Sequence, residues 1–148
     1  PETISIKSLS PKFESWNSYR VPREVVFSNR VYIDKMEKAF KYLEKERNIE
    51  VNLILESIIE IFPYDQNAWF YLGISKYRQE DYEGSQICFE QILEDYPAVF
   101  KPESEWYKSL CLLNSGDEDM AKEDLQRIAS RHGFYQERAA NLLANNFK

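Results

Sequence analysis

The sequence predicts an all-α fold built from short paired helices. Apolar residues recur at helical spacing from residue 28 almost to the C-terminus, which indicates amphipathic helices. Only four glycines are present, too few for a β-rich fold with many tight turns. The 148 residues are 43% hydrophobic and 15% aromatic, which is typical of one globular domain with a buried core and not of a disordered chain.

Residues that start and stop helices divide this periodic region into seven runs. In chain order they are Ser28 as an N-cap, Pro63 after the second run, Asp65 and Asp81 as N-caps, Pro97 after the fourth run, Pro102 in a first turn, Gly116 as a C-terminal glycine and Asp117 as an N-cap. The seventh run extends from Phe134 to about Phe147. These signals predict three helix pairs followed by a capping helix.

Residues 1–29 differ from the rest of the chain. They show no helical period, and the first 30 residues hold five basic against three acidic side chains. Aromatic residues such as Phe13, Trp16, Tyr19 and Phe27 make this segment more apolar than a solvated tail. We therefore expect an extended arm over residues 1–29 that packs on a helical repeat domain formed by residues 30–148.

Composition limits the classes of function. The chain has 25 acidic and 19 basic residues and a net charge of -6, which argues against nucleic-acid binding because phosphate neutralisation needs basic surfaces. No run of 18 apolar residues occurs, so no membrane insertion by this segment is expected. The chain begins at Pro1 without a charged-then-apolar leader, and we expect it to be a fragment or processed form of a longer protein.

The helix pairs repeat with a period of 34 residues. Pro63 and Pro97 are 34 residues apart, and so are Leu55 and Phe89. The segment from residue 69 to 97 resembles the tetratricopeptide repeat (TPR) family through Trp69, Leu72, Gly73, a small Ser85, Phe89 and Pro97. In such a pair the small residues allow two helices to approach at their crossing while the large ones fill the space around it.

The other copies depart from the family pattern. The family's tyrosine position is Lys76, the first copy has Lys35 at the tryptophan position, and Trp106 follows Trp69 by 37 residues. The resemblance covers about residues 30–133. It implies a tetratricopeptide-like right-handed superhelix of about three helix pairs plus a C-terminal capping helix.

The third copy and the C-terminal segment carry Glu105-Trp106-Tyr107, Asp117, Ala121, Leu125, Ile128 and Ala139 to Leu143. In these residues they are similar to soluble portions of membrane-anchored bacterial tetratricopeptide proteins, whose repeats face away from the cytoplasm. That similarity implies an extracytoplasmic location with an anchor upstream. Without it, a cytoplasmic location is expected.

The resemblance also implies a concave groove lined by the first helix of each pair. The positions of this candidate groove are Met36, Phe40, Leu43, Asn67, Phe70, Ile74, Tyr77, Tyr107 and Asn114, with Cys111 also facing inward. Families that clamp a terminal carboxylate carry Lys, Arg and Asn at several of these places, so no carboxylate clamp is expected here. Either the arm fills this aromatic groove, or the groove is open to a partner.

Catalytic and metal-binding motifs are missing from the sequence. The lone His132 lies near a helix end, where we expect it to face helix carbonyls. Acidic clusters at Glu80-Asp81 and at residues 117–119 lack calcium-loop spacing and suit helix N-termini. Cys88 and Cys111 are expected to be small buried core residues, although a disulfide between adjacent helices stays open.

The sequence thus predicts a non-enzymatic protein–protein interaction scaffold that binds a protein or peptide segment, without cofactor or metal. The alternative is a structural or oligomerisation module whose apolar surface packs on itself or on another domain of a longer protein. A third class, an enzyme that uses Cys111, predicts rapid reaction with a thiol reagent.

Overall fold

The structure is a computed structural model, and it describes residues 26–95 and 97–147, with side chains from Arg30 onward. These residues form seven α-helices and no strand, which confirms the all-α prediction. The helices are α1 Val26–Glu44, α2 Asn48–Ile61, α3 Gln66–Arg78, α4 Tyr82–Glu94, α5 Lys101–Ser115, α6 Glu118–Ala129 and α7 Gln136–Asn146. In this part of the chain no helix combines the length and apolar character needed to cross a bilayer.

The predicted arm falls mostly outside the described residues. Its last four residues, 26–29, are helical and belong to α1. Ser28 therefore lies inside this helix and is not its N-cap, because the helix already includes Val26. The packing of residues 1–25 stays a prediction.

Contacts divide the chain into two compact units, with the boundary after Ala68 in the first turn of α3. In the first unit α1 and α2 form a helical hairpin. Its core consists of buried side chains on both helices: Tyr32, Met36, Ala39, Leu43, Val51, Leu55 and Ile58. The Tyr32 ring also meets Phe62 edge-on at 5.9 Å, so the residues after α2 pack back on α1.

The second unit holds the rest of α3 together with α4 to α7. Successive helices pack on one another from α4 to α7. Aromatic side chains dominate the centre: Phe70, Tyr71, Phe89, Phe100, Trp106 and Tyr107. The Trp106 ring stacks on Tyr135 at 5.2 Å, so the predicted tryptophan of the third copy anchors the start of α7.

The turns within the three helix pairs share one backbone geometry. Glu46, Glu80 and Gly116 adopt left-handed φ angles of 57°, 61° and 89°. In each turn the next amide donates to a carbonyl five residues back, from Arg47 to Tyr42 at 2.9 Å, from Asp81 to Lys76 at 3.0 Å and from Asp117 to Leu112 at 3.0 Å. The left-handed residue itself donates to the carbonyl three residues back, and the two bonds of each turn satisfy the last carbonyls of the first helix. The 34-residue period is therefore present in the backbone of the first two pairs, and the third turn follows 36 residues after the second.

The predicted capping residues are confirmed in the later pairs. Asp81 accepts a hydrogen bond from the Gly84 amide at 3.0 Å, and Asp117 accepts one from the Met120 amide at 3.5 Å. Pro102 lies in the first turn of α5, and Gly116 ends that helix. In the first pair Arg47 occupies the cap position without a side-chain hydrogen bond to a helix amide, and its guanidinium pairs with Glu50 in α2.

The crossing of α3 and α4 depends on two small residues. A Cβ atom on Gly73 would lie 2.8 Å from Cζ of Phe89, closer than such contacts allow. Ser85 on α4 is fully buried, and its hydroxyl donates to the Gly73 carbonyl at 2.7 Å. Cys111 on α5 donates in turn to Ser85 Oγ at 3.3 Å. The predicted roles of Gly73, Ser85 and Phe89 are confirmed, and one buried hydrogen-bonded chain joins three helices.

Candidate partner-binding surface

The candidate groove has four positions in the first unit. Met36 and Leu43 are fully buried, and Phe40 is half-buried. Asn67 is 1% exposed, so its side-chain amide is buried. In this unit only Phe40 of the set presents part of its side chain to solvent.

A buried hydrogen-bonded group lies beside Asn67 in the sequence. Tyr32 Oη donates to Asp65 Oδ2 at 2.9 Å, and the Ala68 amide donates to the same oxygen at 3.2 Å. Burial raises the pKa of the Asp65 carboxyl to about 6, although these hydrogen bonds oppose the increase. Asp65 therefore caps α3 as predicted and also ties α1 to the start of that helix.

The other five positions lie in the second unit, where four of them are buried. Phe70 is fully buried, and its ring stacks on Phe100 at 4.3 Å. Ile74 is also fully buried, and Tyr107 stacks on Phe89 at 5.6 Å with 7% of its surface exposed. These side chains contribute mainly to the packing between α3, α4 and α5.

Tyr77, a fourth buried position with 7% of its surface exposed, and the exposed Asn114 lie where α3 ends beside α5. The Tyr77 ring meets Tyr82 at 5.4 Å and Tyr107 at 6.1 Å. The exposed Asn114 donates from Nδ2 to Tyr77 Oη at 3.4 Å and to the Leu110 carbonyl at 2.8 Å. We call Tyr77, Tyr82, Tyr107 and Asn114 the tyrosine cluster. It combines ring surface with a side-chain amide, a combination that suits contact with a peptide.

Two members of these aromatic groups were missed from the sequence. Tyr82 follows the cap residue Asp81 and was absent from the groove prediction because it lies on the second helix of its pair. Phe100 precedes α5 in a Pro-flanked connection, yet it is fully buried against Phe70. The isolated aromatic residue between Pro97 and Pro102 was the available signal for Phe100.

Both cysteines are buried core residues. Cys88 and Cys111 are not joined by a disulfide, which answers the question that the sequence left open. Burial raises the pKa of the Cys111 thiol to about 11, which disfavours the thiolate that nucleophilic chemistry requires. His132 is exposed in the turn between α6 and α7, and its contact with helix carbonyls stays a prediction. No group of three or more potential metal ligands occurs among the residues that the structure describes.

Comparison with models of known protein families gives a match over α3 and α4. Residues 67–98 match the family model of the tetratricopeptide repeat. The predicted resemblance is confirmed over this segment, which spans α3, α4 and the α3–α4 crossing. No curated protein matches the chain with statistical significance. The tetratricopeptide match suggests protein partners, whereas it identifies no particular one.

Proposed function

We propose that the chain is a protein-interaction scaffold that binds a peptide or protein segment over the tyrosine cluster. The tetratricopeptide match is the observation that carries the proposal, because this helix pair commonly provides a protein-binding surface. The tyrosine cluster reaches solvent through the half-buried Tyr82 ring and the exposed Asn114 amide, while Tyr77 and Tyr107 pack behind them. Aromatic side chains of this kind dominate binding energies at protein interfaces.

A peptide-display library panned against the full chain tests this proposal. For enriched peptides, Tyr82→Ala and Asn114→Ala should each weaken binding by about tenfold, the scale of a moderate interface contact. Tyr64→Ala is the matched control, since Tyr64 is 79% exposed and lies in the first unit. If no peptide is enriched, or if the control weakens binding as much as the cluster variants do, the proposal fails.

The predicted arm over residues 1–29 would close this surface to a partner if it packed there. We expect removal of residues 1–25, which leaves α1 intact from Val26, to lower the melting temperature and to increase the binding of a hydrophobic dye. Equal melting and equal dye binding of the two forms would show that the arm does not cover apolar surface.

An oligomerisation function has its own supporting observation in the first unit. Ile49, Leu53 and Ile61 on α2 are 71%, 64% and 60% exposed. Contact with a second copy of the chain would bury these apolar side chains. Light scattering that shows an apparent mass rising with protein concentration in the wild type, and not in Leu53→Glu, would favour this function over peptide binding.

A further inference from the structure

A basic cleft lies in the second unit, and none of its lining residues belongs to the tyrosine cluster. It has a volume of about 250 Å³ and is lined by residues from the end of α4, from α5 and from α6 and the turn after it. Six charged side chains line it: Lys101, Glu105, Lys108, Asp124, Arg127 and Arg131. Four of the six are cations, although the chain as a whole carries a net charge of -6.

Both carboxylates that line the cleft form ion pairs with its cations. Glu105 pairs with Arg131 at 2.6 Å. Asp124 is shared between Lys108, at 3.7 Å, and Arg127. Lys101 forms no ion pair with any described residue. The cleft therefore keeps an excess of two positive charges.

The exposed cations are placed to receive a ligand from solvent. The Arg127 side chain is 67% exposed and the Arg131 side chain 48%, whereas Asp124 is only 12% exposed beneath them. Leu93 and the buried Ile128 add an apolar part to the lining. The cleft thus presents cations at its opening and aliphatic surface beside them.

We propose that this cleft binds an acidic segment of a protein partner, with carboxylate side chains at Lys101 and Arg127 and an aliphatic side chain on Leu93 and Ile128. Separate carboxylates on a flexible peptide need to meet only Lys101, which forms no ion pair with a described residue, and the exposed part of Arg127, although Arg127 also pairs with Asp124 and Glu105 lines the same cleft. A compact phosphate dianion would meet those two carboxylates at close range, and a nucleic acid would meet the net negative charge of the chain. The balance of charges inside the cleft thus favours an acidic peptide.

The probe is a fluorescein-labelled peptide in which glutamates alternate with leucines, compared with the same peptide carrying glutamine for glutamate. The full chain should bind the glutamate peptide more tightly, and increasing salt should weaken this binding because the cleft is open to solvent. Lys101→Gln combined with Arg127→Gln should weaken it by about tenfold, as expected for the loss of two exposed charge contacts. Lys108 remains beside Asp124 in this variant, so no buried carboxylate is left without a cation.

The matched control is Lys41→Gln combined with Lys45→Gln. It removes the same charge from a surface depression on α1 and the turn after it. Equal weakening by both double variants, or equal binding of the two peptides, would overturn the proposal. So would calorimetric binding of inorganic phosphate that blocks the peptide and is lost in the cleft variant.

A measurement on the wild type alone guards against a folding defect. Hydrogen–deuterium exchange with the glutamate peptide should slow amides of α5 and α6, and slowing confined to other helices would contradict the proposal. Tyr82→Ala should leave the acidic peptide bound with unchanged affinity. Loss of the cleft interaction and loss of the tyrosine-cluster interaction are therefore separate results.

Discussion

The Ser85 hydroxyl donates a hydrogen bond of 2.7 Å to the carbonyl oxygen of Gly73. Both residues are buried at the crossing of α3 and α4, and Gly73 has no room for a Cβ atom beside the Phe89 ring. The Gly73 carbonyl accepts this bond in addition to its bond within the helix. The same bond satisfies the Ser85 hydroxyl, whose burial without a partner would cost free energy. Close approach and hydrogen bonding therefore depend on each other at this crossing.

Replacement of Gly73 by alanine should destabilise the fold. The added Cβ would meet the Phe89 ring, which has little room to move between Phe70 and Tyr107. We expect the free energy of unfolding to fall by about 1–3 kcal/mol, as in other overpacked cores. Urea unfolding measures this loss, and Gly133→Ala is the control because no atom lies within 4 Å of its added Cβ. A fully stable Gly73→Ala protein would contradict the description of this crossing.

The left-handed turn residues lead to a second prediction. Glu46 and Glu80 hold positive φ angles that side chains disfavour, whereas Gly116 holds a similar angle without penalty. Glu80→Gly should raise the free energy of unfolding by about 0.5 kcal/mol, since relief of strain exceeds the added unfolded-state entropy. Gly116→Ala should lower it by about 1 kcal/mol. Thermal melts of the two variants should shift in opposite directions, and shifts of the same sign would exclude this explanation.

The buried carboxyl of Asp65 makes stability depend on pH. Its pKa is raised from 3.8 to about 6, so the folded state holds the proton more tightly than the unfolded state. The free energy of unfolding therefore falls as pH rises through this window, by up to about 3 kcal/mol from this group. Asp65→Asn keeps an oxygen for the Tyr32 hydroxyl and the Ala68 amide while it removes the charge.

Chemical unfolding of Asp65→Asn and wild type at pH about 4 and about 8 measures this effect. The variant should gain stability relative to the wild type at the higher pH. Asp81→Asn is the control, since Asp81 caps α4 from an exposed position. A stability difference that is the same at both pH values would show that Asp65 is not responsible.

The thiols provide a further prediction. Burial raises the pKa of Cys111 to about 11, and Cys88 is also buried. Since the thiolate is the reactive form, an aromatic disulfide reagent at neutral pH should modify both thiols at least about a hundredfold more slowly in the folded protein than in denaturant. Mass spectrometry of digested samples assigns the modified residue. Rapid labelling of Cys111 in the folded chain would support the enzyme hypothesis instead.

Local signals in the sequence predicted much of the fold. Asp81 and Asp117 cap their helices as expected, because a short acceptor before an apolar run acts within a single turn. The crossing at Gly73 followed from the repeat pattern, since its neighbours recur at fixed spacing. Ser28 was assigned wrongly because it matches the same cap preference within a longer helix.

The candidate groove depended on information that the sequence does not hold locally. A helical pattern places Phe70 and Tyr107 on particular faces, but their exposure depends on what packs against those faces. Phe100, a residue in a connection between helices, stacks on Phe70, and no periodicity indicates that contact. The basic cleft was missed for a similar reason. Lys101 and Arg127 belong to different helices, and tertiary packing brings them to one opening.

The connections between successive helix pairs differ in length. Six residues connect α4 to α5, against four between α2 and α3, while each intervening turn keeps its left-handed residue and paired amide bonds. The turns within pairs therefore keep one hydrogen-bonding geometry, whereas the connections between pairs vary in length. An inserted tag, a reporter or a duplicated pair would accordingly be best tolerated in the connection before α5, provided that Phe100 stays next to the helix it precedes.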